Sequence, residues 1–361
     1  MLLIEQCKQP QSFVEMVELK GDGHPDTLCD TVCEAASKVL SQYYLKHFGH
    51  VLHHNVDKGL LIAGKAQPAF AGGKIIQPVK IIIAGRATTH MDGKKIPVDR
   101  IVTTSARNVL KNFSSAKFII ETAIKPGAAN LVGVPTKHVA NDTSFGVAHY
   151  PYSDLEQLVL SMKQFLDLLR RKEKAIGYDI KIMGSRIKGA ITITLAIAFI
   201  GKHIANMDQY ITTKERIRKI LENKFAVSVF INTLDDYATK DSVYLTVSGL
   251  SAEHGDDGQV GRGNRYNGLI TPYKPMSLEA IAGKNIYHPG KLYQILAFVL
   301  AQDLVKAGAT YAEVKLLSQI GAPLQKPAVV HVSLKGSAPV KKLVEKRLSR
   351  LSELYKKIID A

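Results

Sequence analysis

Runs rich in Val, Ile and Thr recur between long amphipathic stretches, and that alternation constrains this chain more than any other feature. Such runs suit a pleated, half-buried surface, whereas the amphipathic stretches repeat at the helical period. The pattern predicts strands over 13–20, 60–65, 79–86, 117–122, 190–199, 226–231, 243–248, 312–319 and 329–334. It predicts helices over 25–48, 99–112, 154–176, 208–223, 288–307 and 340–359. Together these describe an α+β fold. The helices return at broad intervals, each after strands, which hints at three related strand-plus-helix units without a clean repeat. With 361 residues, 46% of them hydrophobic, the chain can bury a large core. No Gly-, Ser- or Pro-rich linker divides it, so one body is expected, with approximate, interleaved lobes over 1–130, 131–250 and 251–361.

Several classes are excluded on composition. No run approaches the roughly 18 apolar residues of a membrane span, and MLLIEQCKQPQS at the start meets acid and lysine too early for an export signal. Cys7, Cys29 and Cys33 form an odd set without CxxC spacing, which points to a reducing, cytoplasmic setting. Cys29 and Cys33 lie one helical turn apart beside Leu28, Val32, Ala36, Val39 and Leu40, where free cysteine acts as a small hydrophobe. Charge is lopsided: 48 Lys and Arg against 32 Asp and Glu give +16, which calls for an anionic partner or serves solubility. A polyphosphate fits better than nucleic acid, because aromatics are 7%, Trp is absent, and no RNA-binding or zinc-finger spacing occurs. Lys341, Lys342, Lys346, Arg347, Arg350, Lys356 and Lys357 near the end read as a solvated helix face.

Five segments carry side chains suited to chemistry. In Lys20-Gly21-Asp22-Gly23-His24-Pro25-Asp26 a strand ends, glycines bend the chain, and Pro25 takes a first helical position. A helix N-terminus favours anions, and a histidine fixed there can meet a phosphate; His24 and Asp26 serve equally well as simple caps. Gly255-Asp256-Asp257-Gly258-Gln259-Val260-Gly261-Arg262-Gly263-Asn264-Arg265 interleaves glycines, carboxylates and guanidiniums. Glycines allow close backbone approach, Arg forks phosphate, and Asp holds Mg²⁺ or an ammonium; a turn closed by internal Asp–Arg pairs is the plainer alternative. The GxxxxGK[ST] spacing of a Walker loop is absent, since Gly283-Lys284 is followed by Asn285. Lys284 alone reads as a solvated lysine, and Asn141-Asp142-Thr143-Ser144 suits either a pocket lining or an Asx turn. His53 and His54 are adjacent, so on a strand they face opposite sides and do not share a metal.

These segments in order resemble the S-adenosylmethionine synthetases, and specifically their archaeal-type branch. The resemblance spans nearly the whole chain and rests on VELKGDGHPDTLCD, VLHHNVDKGLLIAG, ANDTSFGVAH, DIKIMGSR and GDDGQVGRGNRYNGLITPYKPMSLEAIAGKN. It implies three similar α+β units about a pseudo-threefold axis, with helices on one face of each sheet. It further implies a homodimer joined through the open sheet faces, with active sites between subunits. The implied reaction joins ATP and L-methionine into S-adenosylmethionine and cleaves the released tripolyphosphate, with Mg²⁺ as cofactor. Potassium activation is frequent in the family, whose acidic ligand region corresponds loosely to His54–Asp57.

By the same resemblance His24 stands beside the broken C–O bond, and Asp26 is a magnesium ligand. Glu18 is an acidic active-site residue, and Asp256 holds the methionine amino group. Arg262 and Lys284 grip the phosphates, Ala280 lines the pocket, and Asn141, Asp142 and Thr143 touch ATP. Lys291 or His288 takes a further lysine role, and Arg265 supplies the charge lost where Gly263 replaces a lysine of the bacterial and eukaryotic branch. Thr27 also replaces a lysine there, and a second magnesium aspartate after Lys284 has no counterpart. Two other readings stand beside this one: a basic nucleic-acid binder, from the +16 charge, and an impaired relative that only binds nucleotide, from the two lost cations.

Overall fold

The computed structural model of the protein describes residues 1–7, 13–113, 115–128, 139–262, 267–272, 274 and 280–360. Its largest sheet is built on β11 (Ile176–Ile187), which pairs antiparallel with β2 (Val14–Lys20) on one side and β12 (Ala190–Ile200) on the other. β13 (Ser228–Ile231) and β14 (Leu245–Thr246) run parallel to β12, and β16 (Leu269–Ile270) lies beyond β2. A second sheet has the order β15 (Gly258–Gln259), β3 (His54–Ile62), β6 (Val79–Ala87), β9 (Phe118–Lys125). A third has the order β1 (Leu2–Gln6), β18 (Val329–Gly336), β17 (Ala309–Leu317), β10 (Phe145–Tyr150). Short hairpins join β4 (Lys65–Ala69) to β5 (Gly72–Gln77) and β7 (His90–Met91) to β8 (Lys94–Lys95). None of the three larger sheets is confined to one of the contiguous spans 1–130, 131–250 and 251–361.

Helices cover one face of each sheet. α1 (Pro25–Phe48) and α2 (Val98–Leu110) lie on the second sheet, α3 (Asp154–Lys172) and α4 (Met207–Phe225) on the largest, and α5 (Pro289–Lys306) on the third. α6 (Val340–Ser349) packs on α5, and α7 (Leu351–Asp360) follows it and touches α1. Among the described residues no helix is long and apolar enough to cross a membrane. Strand alternation sets the buried face: Val79, Ile81 and Ile83 of β6 point at the helices. In α1 Leu28, Cys29, Val32, Cys33, Ala36 and Leu40 are fully buried, as expected for the two thiols, and each aliphatic side chain contributes about 1.5–3 kcal/mol. Gly59 permits this approach, since a Cβ there would fall 2.7 Å from Cys33 Sγ. The opposite sheet faces leave Met16, Leu60, Ile119, Phe145, Ile187 and Phe230 exposed.

Four expectations about elements change. The helix expected to 176 stops at Lys172, and Ile176 opens the long strand β11. Apolar residues at 175, 176 and 180 continue the helical spacing, but Glu173 is extended (φ −99°, ψ 93°) and ends it. The expected helix 340–359 breaks at Arg350 (φ −118°, ψ 32°) into α6 and α7. The strand expected over 243–248 shrinks to Leu245–Thr246, the pair in register with Phe199 and Ile200 of β12. Strands β1 and β10 form where none was expected, each fixed by a partner far along the chain: β18 for β1 and β17 for β10.

Candidate active site

Strand β2 carries Glu18 and Lys20 to the edge of the largest sheet, where the chain turns into α1. The turn lies flat on β11: Gly21 N donates to Ile180 O at 2.7 Å and Gly23 N to Tyr178 O at 3.1 Å. A side chain at Gly23 would place Cβ 2.5 Å from the Tyr178 carbonyl carbon, so only glycine fits. His24 caps the helix, its Nδ1 accepting from Asp26 N at 3.2 Å. Acceptance at Nδ1 puts the proton of the neutral imidazole on Nε2. The capping role and a donor role are therefore compatible in one ring.

Asp26 ties three segments together. Its Oδ2 takes the Lys20 ammonium at 2.8 Å and its Oδ1 accepts from Gln259 N at 2.9 Å, while Arg262 Nε lies 3.9 Å away. Lys20 also donates to the Arg262 carbonyl at 2.5 Å and stands 3.6 Å from Glu18. Arg262 keeps its side chain 63% exposed, so its guanidinium is presented to solvent from a fixed backbone. Across from this group, Ser251 Oγ donates to Asp179 and stands 3.1 Å from Asp256 Oδ2. Burial pushes the Asp179 carboxyl up and Asp256 adds to that, against the pull of His24 and Ser251. Asp179, Lys181 (3.6 Å from Glu18) and Ser251 were not singled out from sequence. The only available hint was acid and lysine interrupting an apolar strand. A cavity of about 740 Å³ opens beside them, lined by Lys181, Met183, Tyr244 and His254 among others.

A second group lies further along α1. Asp26, Asp30 and Glu34 recur every four residues on one helical face, over about 12 Å of axis. Each accepts a backbone N–H from the loops above: Gln259 at 2.9 Å, Gly261 at 3.0 Å and Gly283 at 3.1 Å. A Cβ at Gly261 would lie 3.6 Å from the Ala280 side chain, which brings Ala280 to the same wall. Lys284 Nζ meets Asp57 Oδ2 at 3.0 Å. Burial works to raise the Asp57 carboxyl, but Lys284 and Lys58 outweigh it and hold the group below its ordinary value. His288 caps α5 as His24 caps α1, with Nδ1 accepting from Gly290 N at 3.0 Å. Its Nε2 is 3.6 Å from the half-exposed Asp142. Burial, helped by Lys284, lowers the His288 pKa to about 3, so the ring stays neutral. Asn141 Oδ1 is buried with no hydrogen-bond partner, and Thr143 is exposed with its hydroxyl accepting from Ile320 N at 3.0 Å. Arg265 lies outside the described residues.

The structure thus gathers His24, Asp26, Glu18, Arg262 and Asp256 at one end of the α1 face and Ala280, Lys284, Lys291 and Asp142 toward the other. Lys291 is almost wholly buried (1% exposed) rather than facing a ligand. Among the described residues no three His, Cys, Asp or Glu side chains form a metal cluster. Magnesium commonly binds through one or two carboxylates plus substrate phosphates. Asp26 is the carboxylate placed for that role, and its oxygens already take Lys20 and the Gln259 N–H, leaving one lone pair on each. In segment 54–57, His54 is engaged with Ser37 and Asn285, Asn55 with the Asn285 N–H, and Asp57 with Lys284 and Lys58.

A family model described as S-adenosylmethionine synthetase (AdoMet synthetase) matches residues 2–361. The chain is 43% identical to a probable S-adenosylmethionine synthase of Aquifex aeolicus, over 96% of this chain and 94% of that one. It is 41% identical to the S-adenosylmethionine synthase of Thermoplasma volcanium, over 99% of this chain and 96% of that one. Among solved structures it is similar in fold to an unusual S-adenosylmethionine synthetase from Campylobacter jejuni. That similarity has a TM-score of 0.64 at 15% identity and covers 97% and 89% of the two chains.

Proposed function

Because the chain belongs to the S-adenosylmethionine synthetase family, we propose that its two clusters form one cradle that makes S-adenosyl-L-methionine from ATP and L-methionine by in-line displacement. The methionine sulfur donates a lone pair to ribose C5′, the C5′–O bond breaks, and its electron pair leaves on the triphosphate. The sulfur becomes a sulfonium. Hydrolysis of the tripolyphosphate to phosphate and diphosphate follows.

Charge moves onto the leaving oxygen during this step, so groups that bind that oxygen more tightly as the bond breaks carry the rate. His24 donates from Nε2 to the leaving oxygen. Arg262, Lys20 and Lys284 oppose the charge of the chain, each such donor being worth on the order of 3 kcal/mol, or about a hundredfold. Asp256, braced by Ser251 and Asp179, holds the methionine ammonium, with Glu18 beside it; Asn141, Asp142, Thr143 and Ala280 line the nucleotide. Asp26 would hold magnesium, which would supply neutralisation of part of the polyphosphate charge. The observation that carries the reading is the bonding at Asp26, which ties Lys20, the His24 turn and the backbone of the glycine loop at 2.8–3.2 Å.

The second part of the reading concerns assembly. The three sheets are related by a pseudo-threefold axis, and a second copy covers the apolar faces that expose Met16, Leu60, Ile119 and Phe230. Each active site then lies between two subunits.

Incubation with ATP, Mg²⁺ and methionine should yield S-adenosylmethionine, phosphate and diphosphate in equal amounts. Absence of any methionine-dependent product would defeat the reading. Light scattering should give the mass of a dimer, and a stable, fully active monomer would reject the assembly.

A further inference from the structure

The carboxylate of Glu34 and the ammonium of Lys291 form an ion pair at 2.7 Å to both carboxylate oxygens, beneath the loop that carries Lys284. Glu34 is 21% exposed and Lys291 1%. Each partner also reaches the loop backbone. Glu34 Oε2 accepts from Gly283 N at 3.1 Å, and Lys291 Nζ donates to the Lys284 carbonyl at 3.1 Å, which also accepts from Ser37 Oγ at 2.9 Å. On its other side the same turn is locked to β3. Gly283 O accepts from Val56 N at 2.8 Å and Asn285 N donates to Asn55 Oδ1 at 3.1 Å. Gly283 itself sits at φ +75°, with a hypothetical Cβ only 2.4 Å from Val56 O. The backbone on both sides of Lys284 is therefore clamped, while its ammonium extends to Asp57.

We propose that Glu34 and Lys291 are positioning residues whose ion pair fixes the Lys284 peptide and thereby aims the Lys284 ammonium at the polyphosphate chain. This rests on the reading of Lys284 as a polyphosphate ligand. It replaces the expectation that Lys291 itself touches phosphate. The three donors of an ammonium are already met by Glu34 and a carbonyl, and burial lowers the pKa of Lys291, so moving that charge to a ligand would leave Glu34 facing no cation. Side-chain reach decides the assignment. A long lysine whose ammonium is held between Glu34 and the Lys284 carbonyl is a strut, and the charge that it serves is the Lys284 ammonium, 11% exposed and paired with Asp57.

The test uses the full-length enzyme with Glu34→Gln and Lys291→Met combined. Together these remove both charges while keeping side-chain length and an acceptor for Gly283 N. Replacing both partners of a buried pair by similar shapes leaves stability nearly unchanged, so the double variant should unfold within a few degrees of the parent. Its kcat should nonetheless drop by about tenfold or more, with the KM for ATP changing less. Lys284→Ala should cost about a hundredfold in the parent but less than about tenfold in the double variant, because a lysine no longer aimed has less to lose.

A double variant with parental kcat overturns the proposal, as does an undiminished Lys284→Ala loss within it. Failure of the double variant to fold also overturns it, since the pair would then belong to the fold and not to the site. If Lys284→Ala is harmless in the parent, the reading of Lys284 has failed first, and that background alone reveals it.

Discussion

His24 and His288 start from the same local device. Each precedes a proline at the first helical position, and each accepts the backbone N–H two residues on through Nδ1, at 3.2 and 3.0 Å. Their surroundings then part. His24 has its side chain 12% exposed, with Asp26 at 3.9 Å, and it pulls against the burial that raises the Asp179 carboxyl. His288 is 5% exposed and lies among Lys284 and Lys291, so burial and then like charge hold it neutral. The dipeptide sets the cap; what surrounds the far nitrogen sets the chemistry.

The sharpest break of that contrast is His24→Ala against His288→Ala. Both lose a cap, so any excess loss of rate reports on the far nitrogen. His24→Ala should lower kcat by about 10²–10³-fold with a much smaller change in ATP dissociation, whereas His288→Ala should lower it far less. Equal losses measured by single-turnover kinetics would erase the distinction.

Acid stability sharpens the same contrast with a smaller effect. His54 and His288 are both lowered to about 3 by burial, while in the unfolded chain a histidine titrates near 6.5. Between those values the unfolded state binds more protons, so stability is fully present above about pH 6.5 and is lost as pH falls. The slope reaches about 1.4 kcal/mol per pH unit for each ring. His288→Asn removes one of the two contributions. Urea midpoints taken from pH 7 to pH 4.5 should therefore decline less steeply in the variant, and parallel curves would contradict the burial argument.

Legibility in the sequence followed the range of the interactions. α1 was readable to the residue because Pro25 and the apolar stripe lie within it and the Gly49 stop directly follows it. β1 was not, since it is an exposed edge whose partner lies about as far away as the chain allows, Leu2 facing Val330. The site divides the same way. His24, Asp26, Asp256 and Arg262 announced themselves by crowding glycines and charges into short segments. Asp179 and Glu34 sit inside a strand and a helix that would look ordinary alone, and they acquire a role only through Ser251 and Gly283, 72 and 249 positions away. His53 and His54, weighed against as a shared metal site, are both buried, and His54 is taken up by Ser37 and Asn285.

The smallest effect concerns the shared cap itself. Asn is among the best N-cap residues, so His24→Asn should recover most of the roughly 0.5–2 kcal/mol that His24→Ala loses. It should do so without restoring the rate, because an amide at that length accepts the Asp26 N–H but reaches no leaving oxygen. His288→Asn should likewise recover the cap part of the His288→Ala loss, the remainder being the hole left by a buried ring. Urea unfolding of the four variants at one pH, above the range where the buried rings titrate, separates these contributions. If Asn restores stability at 288 and not at 24, the His24 turn is held by its contacts with β11 and Asp26 rather than by its own cap, and the two helix starts are less alike than their sequences.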